Sequence, residues 1–281
     1  MSLTSFLQQK DVQSKFKEEI ILPKIELKGD LLAPPKTTNY GLIGTAYDYL
    51  LRFLIKKKNK SAIENAWIAE KAIKKIQDLI KNSKDSTESY KKLIEILEKT
   101  VNFSKAIYRD YTKYGSDNLL IETCIALAQI DPIFRAFYLD PNLGSLDKRD
   151  IEDLKKIKEI TDLKLFKSEK SCYLNPNFGE ASQIIGGAEA DLIIDDCIIE
   201  IKTIKELKLK REHINQLVGY YLLSLIGKVN GEKEKKDIKD LGVYFSRYNI
   251  LCKFSINDVL VNKNYQPFLK WFEKRIKERN Y

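Results

Sequence analysis

Two short Ile-rich runs constrain this chain more than any other feature: Ala190-Asp191-Leu192-Ile193-Ile194 and Cys197-Ile198-Ile199-Glu200-Ile201-Lys202. Each is short, apolar and rich in β-branched residues, so each reads as a buried strand. Asp195-Asp196 between them reads as a tight turn, which makes the pair a hairpin. Side chains alternate along a strand, so Glu200 and Lys202 share a face, and the hairpin brings Asp191 near them. Charged groups at the ends of otherwise buried strands need a reason. Two carboxylates at one point repel unless a cation lies between them. Mg²⁺ takes carboxylate, carbonyl and water oxygens, and Ile201 offers a main-chain carbonyl between Glu200 and Lys202. A cation held this way polarises a phosphoryl oxygen and activates water, while Lys202 positions that water or stabilises charge on the phosphate. A surface ion pair would account for Glu200 and Lys202 but not for Asp191.

The hairpin sits in a longer pattern. Gln183-Ile184-Ile185, set off by Gly186-Gly187, reads as the first strand of a three-stranded meander. A helix over 211–226, strands over 241–245 and 250–256, and a helix over 267–277 follow, so the tail from Ser171 reads βββαββα. Upstream, Leu42-Ile43, Ala46-Tyr47, Leu50-Leu51 and Leu54 recur at helical spacing over 41–55, ahead of the basic run 56–60. From 61 to 169 the pattern is helical throughout, with helices over 119–130 and 151–160 and breaks at 82–87, 115–118 and 141–144. Before 38 the chain is mixed, and Pro23, Pro34 and Pro35 break any long helix. The expected fold class is α/β. The expected organisation is an N-terminal segment with the first core helix (1–60), a helical insertion (61–169) and the sheet-bearing core (170–281).

Composition narrows the partners. The net charge of +9 favours a polyanion such as nucleic acid. Lys205, Lys208, Lys210 and Arg211 follow the hairpin directly and are candidate phosphate contacts, with further basic segments at 56–60 and 270–279. No apolar run approaches the roughly 18 residues that span a bilayer. No basic-then-apolar leader opens the chain, so no membrane partner and a cytoplasmic location are expected. Cys124, Cys172, Cys197 and Cys252 are widely spaced with no C-x-x-C pair, which argues against zinc; Cys197, inside an apolar run, reads as a buried small hydrophobe. His213 is the one histidine, so His-based dyads and multi-His metal sites are nearly excluded; it is expected to face solvent or phosphate. Tyr244, Phe245, Tyr248 and Phe254 lie on or beside strands and read as core.

Asp191, a hairpin, then Glu200-Ile201-Lys202 resembles the hallmark of the PD-(D/E)XK nuclease superfamily. Gln216-Leu217-Val218-Gly219-Tyr220 resembles the Q-x-x-x-Y motif of its RecB-like and Cas4-like branch, and Gly187 before Asp191 also suits that branch. Gly44-Thr45-Ala46-Tyr47-Asp48 is similar to the branch's Gly-Thr-x-x-His, with Asp48 where the His would be. The likeness spans 41 to about 256, with 61–169 inserted. It implies a restriction-endonuclease-like core, a mixed central sheet flanked by helices, and a Mg²⁺- or Mn²⁺-dependent deoxyribonuclease. Asp191, Glu200 and the Ile201 carbonyl would hold the metal, with Asp48 as a further ligand; Lys202 would assist the water. Gln216 and Tyr220 would orient the substrate or the active-site residues. Glu180 stands about where the branch often carries a Glu, although a solvated turn residue is the favoured reading. Some members hold a four-iron four-sulfur cluster through one upstream and three clustered downstream cysteines; no such cluster follows Tyr220, so none is expected. The resemblance favours DNA over RNA, in repair, recombination or defence. The departure at Asp48 motivates an alternative: a catalytically degenerate nucleic-acid-binding or scaffold subunit. With no G-x-x-x-x-G-K-S/T phosphate loop, any ATP-driven motion would come from a protein partner; a homo-oligomer is the other association to expect.

Overall fold

The computed structural model describes residues 2–82 and 88–278. Its six strands are β1 (Ile63–Glu64), β2 (Cys172–Leu174), β3 (Leu192–Ile194), β4 (Cys197–Lys202), β5 (Asp240–Phe245) and β6 (Ile250–Ser255). They lie side by side in sequential order in one mixed sheet. β1 and β2 run parallel, as do β4 and β5; the other neighbours are antiparallel. Asp195 turns the β3–β4 hairpin at a left-handed φ of 53°, a conformation Asp tolerates better than most residues. Its carboxylate accepts the N–H groups of Glu169, Lys170 and Ser171, which holds the turn against the chain entering β2.

The helices are α1 (Leu3–Leu7), α2 (Lys10–Glu19), α3 (Tyr40–Lys58), α4 (Ile68–Asn82), α5 (Glu88–Tyr114), α6 (Leu120–Ala136), α7 (Lys148–Ile160), α8 (Gly179–Ile184), α9 (Arg211–Gly227) and α10 (Gln266–Lys277). They cover both faces of the sheet. Leu192, Ile194, Cys197 and Ile199 join a core with α3 to α7, while Ile193, Ile198, Val243 and Phe245 join a second core with α1, α2, α8, α9 and α10. A sheet buried on both faces reads as continuous apolar runs, which is why β3 and β4 are so rich in Ile. Each fully buried Ile contributes about 1.5–3 kcal/mol by leaving water. Parallel strands need a crossover, and α9, apolar on nearly every side, supplies it between β4 and β5. Among the described residues no helix is long and apolar enough to cross a membrane.

Several expectations are corrected. Residues 183–185 are no strand: Gln183 and Ile184 end α8, and the strand beside β3 is β2. The order from Ser171 is therefore β2-α8-β3-β4-α9-β5-β6-α10. Close packing against α9 fixes α8. A Cβ on Gly227 would lie 1.9 Å from the Phe178 carbonyl, and Gly179 sits at φ +55° with the Gly227 carbonyl beside it. The stretch 61–169 is not helical throughout, because Ile63–Glu64 pairs with β2 as an edge strand and Leu163–Phe166 is a 3-10 turn. The third helix runs past Ile130, through Pro132, to Ala136. The mixed N-terminal stretch holds α1 and α2, too short for a clear apolar period but docked on α10 through Phe6–Phe272 and Phe16–Phe268 edge contacts. The four cysteines are free and buried, Cys197 as expected. The break at 82–87 falls, from 83 onward, outside the described residues, as does Arg279 of the basic segment 270–279.

One buried ion pair ties the layers together. Arg247, just after β5, makes two parallel bonds to Asp153 of α7 at 2.8 and 2.9 Å, with both side chains fully buried. The same guanidinium donates to the Ala33 carbonyl at 2.9 Å.

Candidate active site

Register decides which side chains meet. Leu192 lies opposite Ile199, so one residue further Asp191 lies opposite Glu200. Ile193 and Ile198 face α9, and by alternation Asp191, Glu200 and Lys202 share that face. Asp191 Oδ2 accepts the Ile201 N–H at 2.6 Å. Lys202 Nζ donates to Glu200 Oε1 at 2.9 Å and to Gln216 Oε1 at 3.2 Å. Gln216 Nε2 donates to Tyr220 Oη at 3.0 Å, one helical turn along α9. The amide is oriented by both ends: its oxygen serves the lysine and its nitrogen the tyrosine. The Tyr220 ring is fixed in turn by stacking on Phe178 at 5.5 Å.

α3 brings Asp48 from the other layer. Asp48 Oδ2 pairs with Arg52 Nη2 at 2.7 Å, and Arg52 Nε donates to the Asp48 carbonyl one turn back. Asp48, Asp191, Glu200, Gln216 and Tyr220 all line one cleft of about 650 Å³. Two carboxylate oxygens, Asp48 Oδ1 and Glu200 Oε2, are buried there with no hydrogen-bond partner among the described residues. Leaving buried acceptors unmade is costly, so this pair is open to a donor or a cation.

The electrostatics agree. Burial first, then repulsion from Glu200 and Asp48, pushes the Asp191 carboxyl well above the ordinary range; the Ile201 N–H and Lys202 offset only part of this. Burial also raises Glu200, against the pull of Lys202. Burial works against the Lys202 ammonium, but the Glu200 and Asp191 carboxylates outweigh it and hold its pKa above the usual lysine value. Crowded, partly unsatisfied carboxylates are relieved by a divalent cation, and these hard oxygen donors suit Mg²⁺ or Mn²⁺. Among the described residues no three His, Cys, Asp or Glu side chains form a ready metal-binding group. The carboxylates that could hold a cation there are Asp191 and Glu200, with Asp48 on the same cleft wall.

Other expected residues lie elsewhere. Lys202 and Ile201 are off the cleft wall, and Lys202 joins the site through Glu200 and Gln216. Lys205, Lys208, Lys210 and Arg211 do not line the cleft either. Lys210 pairs with Glu206 at 3.0 Å, and Arg211 donates to the Ile20 carbonyl. Glu180 is exposed in the first turn of α8, the solvated position favoured for it. His213 corrects the expectation of a solvent- or phosphate-facing side chain: it is buried, its Nδ1 accepts the Lys210 N–H, and its ring packs against Phe245. Burial, then the cations of Lys202 and Lys210, push its pKa down to about 4.

Lys75, Arg135, Asn175 and Glu189 line the cleft without having been singled out. Glu189 bonds Asn175 at 3.2 Å and pairs with Lys71. It stands two residues before Asp191, the same spacing that flags Glu200 and Lys202, so a signal was present. Lys75 and Arg135 arrive through tertiary packing of α4 and α6, which leaves no local signal. No protein-family model, curated protein or solved structure matches the chain.

Proposed function

We propose that this chain is a divalent-metal-dependent hydrolase of phosphodiester bonds in nucleic acid, with DNA as its polymer. The observation that carries the reading is the set Asp191, Glu200 and Lys202 on adjacent strand ends, locked to Gln216 and facing buried, unpartnered carboxylate oxygens. The element order α3-β2-β3-β4-α9-β5 around that set supports a restriction-endonuclease-like core. The preference for DNA, and a setting in repair, recombination or defence, rest on the resemblance alone.

In this reading Asp191 and Glu200 would hold Mg²⁺ or Mn²⁺, with Asp48 Oδ1 within the same cleft. Such an ion, when bound, would supply positive charge at a phosphoryl oxygen and a water of lowered pKa. Lys202, kept protonated by Glu200, offers charge to the phosphate as negative charge builds there. Gln216 fixes the lysine head, and Tyr220 fixes Gln216, so the ammonium needs little reorganisation during reaction. A second reading, a nucleic-acid-binding scaffold without catalysis, draws on Asp48, which spends one oxygen on Arg52.

The test is cleavage of end-labelled single- and double-stranded DNA with Mg²⁺ or Mn²⁺. Wild type should cut, chelator should stop it, and Asp191→Asn and Lys202→Ala should each lose about a hundredfold or more in rate. Variants that cut as fast as wild type would sink the mechanism. Binding of DNA with no metal-dependent cleavage by wild type would favour the scaffold.

A further inference from the structure

The helical layer carries a second groove beside the same cleft. Lys71, Lys74 and Lys75 fall at helical spacing on one face of α4. With Phe134 and Phe137 they line a groove of about 420 Å³, against one acid, Asp78. Lys75 and Phe134 also line the active-site cleft, where Arg135 joins them, so the two spaces adjoin. Lys71 is committed to Glu189, whereas Lys74 is exposed with no partner among the described residues.

Phe137 is out of place for a structural residue. It caps the C-terminus of α6 at φ 52°, a left-handed position that glycine occupies most readily. The residue is 62% exposed, and its ring centroid sits 3.6 Å from Lys75 Nζ, which also donates to the Phe134 carbonyl at 2.7 Å. Tyr138 beside it is 54% exposed. Neither ring contributes to the core, so their burial does not explain them. Exposed rings interleaved with cations match one polymer above others. Bases of an unpaired strand stack on the rings while phosphates meet the ammonium groups; a duplex keeps its base faces hidden.

We propose that Lys74, Lys75, Phe134, Arg135 and Phe137 form a binding track for single-stranded nucleic acid that leads into the cleft. This rests on the reading of the cleft as a nucleic-acid site. It assigns substrate contact to α4 and α6 rather than to the basic stretch after β4.

Fluorescence anisotropy of a labelled oligo-dT, with the full chain in chelator so that nothing is cut, tests it. Wild type should bind the strand, and unlabelled duplex should compete poorly. The double variant Lys74→Ala/Phe137→Gly should bind about tenfold more weakly or worse. Its melting temperature should hold or rise, because glycine suits the left-handed position. Unchanged affinity in the variant, or duplex competing as well as single strand, would overturn the track. The two proposals fail separately. Variant-sensitive binding with no cleavage by wild type keeps the track and removes the activity. Cleavage by wild type with variant-insensitive binding keeps the activity and removes the track.

Discussion

At the scale of single residues, the site is a balance of buried charges. Asp191 and Glu200 both have folded pKa values raised above their ordinary 3.8 and 4.5. A raised carboxyl holds its proton more tightly in the folded state. Its contribution to stability is therefore greatest at low pH and is lost as pH rises through the raised value. His213 works in the opposite sense: its folded pKa near 4 lies below the free 6.5, so stability is lost as pH falls across that interval. Comparing Asp191→Asn with wild type removes the histidine, which contributes equally to both. In metal-free thermal melts from pH 4 upward, the variant should lose less stability with rising pH than wild type does. Parallel curves would show that Asp191 is not crowded. The sequence was informative here because Asp191, Glu200 and Lys202 lie within twelve consecutive residues. Alternation plus one two-residue turn fixes their relation. His213 was misread because a polar side chain one turn from Gln216 gives no sign that its ring is packed under Phe245.

At the scale of elements, stability depends on ties between distant segments. Asp153 on α7 and Arg247 after β5 form a bidentate pair with no exposure on either side. Asp153→Ala leaves the guanidinium buried and unpaired, which should cost about 3–5 kcal/mol in urea unfolding. The double change Asp153→Leu/Arg247→Met should recover most of that loss, since replacing both charges removes the desolvation penalty. A single variant that loses less than about 1 kcal/mol, the level of an exposed pair, would contradict the claim. Elements were legible where the apolar period ran long, as in α3 and α9, and where a hairpin was contiguous. β1 was not, because a two-residue strand is defined only by its partner, β2. Residues 183–185 were misread because three residues with two Ile do not separate strand from helix end. α1 and α2 were missed because short helices draw their stability from docking, here on α10.

At the scale of the whole molecule, the cleft is a product of both layers. The sheet and α9 supply Asp191, Glu200, Gln216 and Tyr220; α3, α4 and α6 supply Asp48, Lys75 and Arg135. The first group was readable as motifs. Lys75 and Arg135 were not, because more than fifty residues separate each from Asp191 in the chain and only packing unites them. The net charge of +9 names no face of the molecule, whereas the cations on the cleft wall, Lys75 and Arg135, come from the helical layer. The central claim is that Asp191 and Glu200 form a divalent-cation site. Calorimetric titration of the metal-free chain with Mn²⁺ tests it most directly. Wild type should show saturable binding that disappears in Asp191→Asn and survives in Phe137→Gly. No heat of binding in wild type, or the same binding in Asp191→Asn, would contradict it.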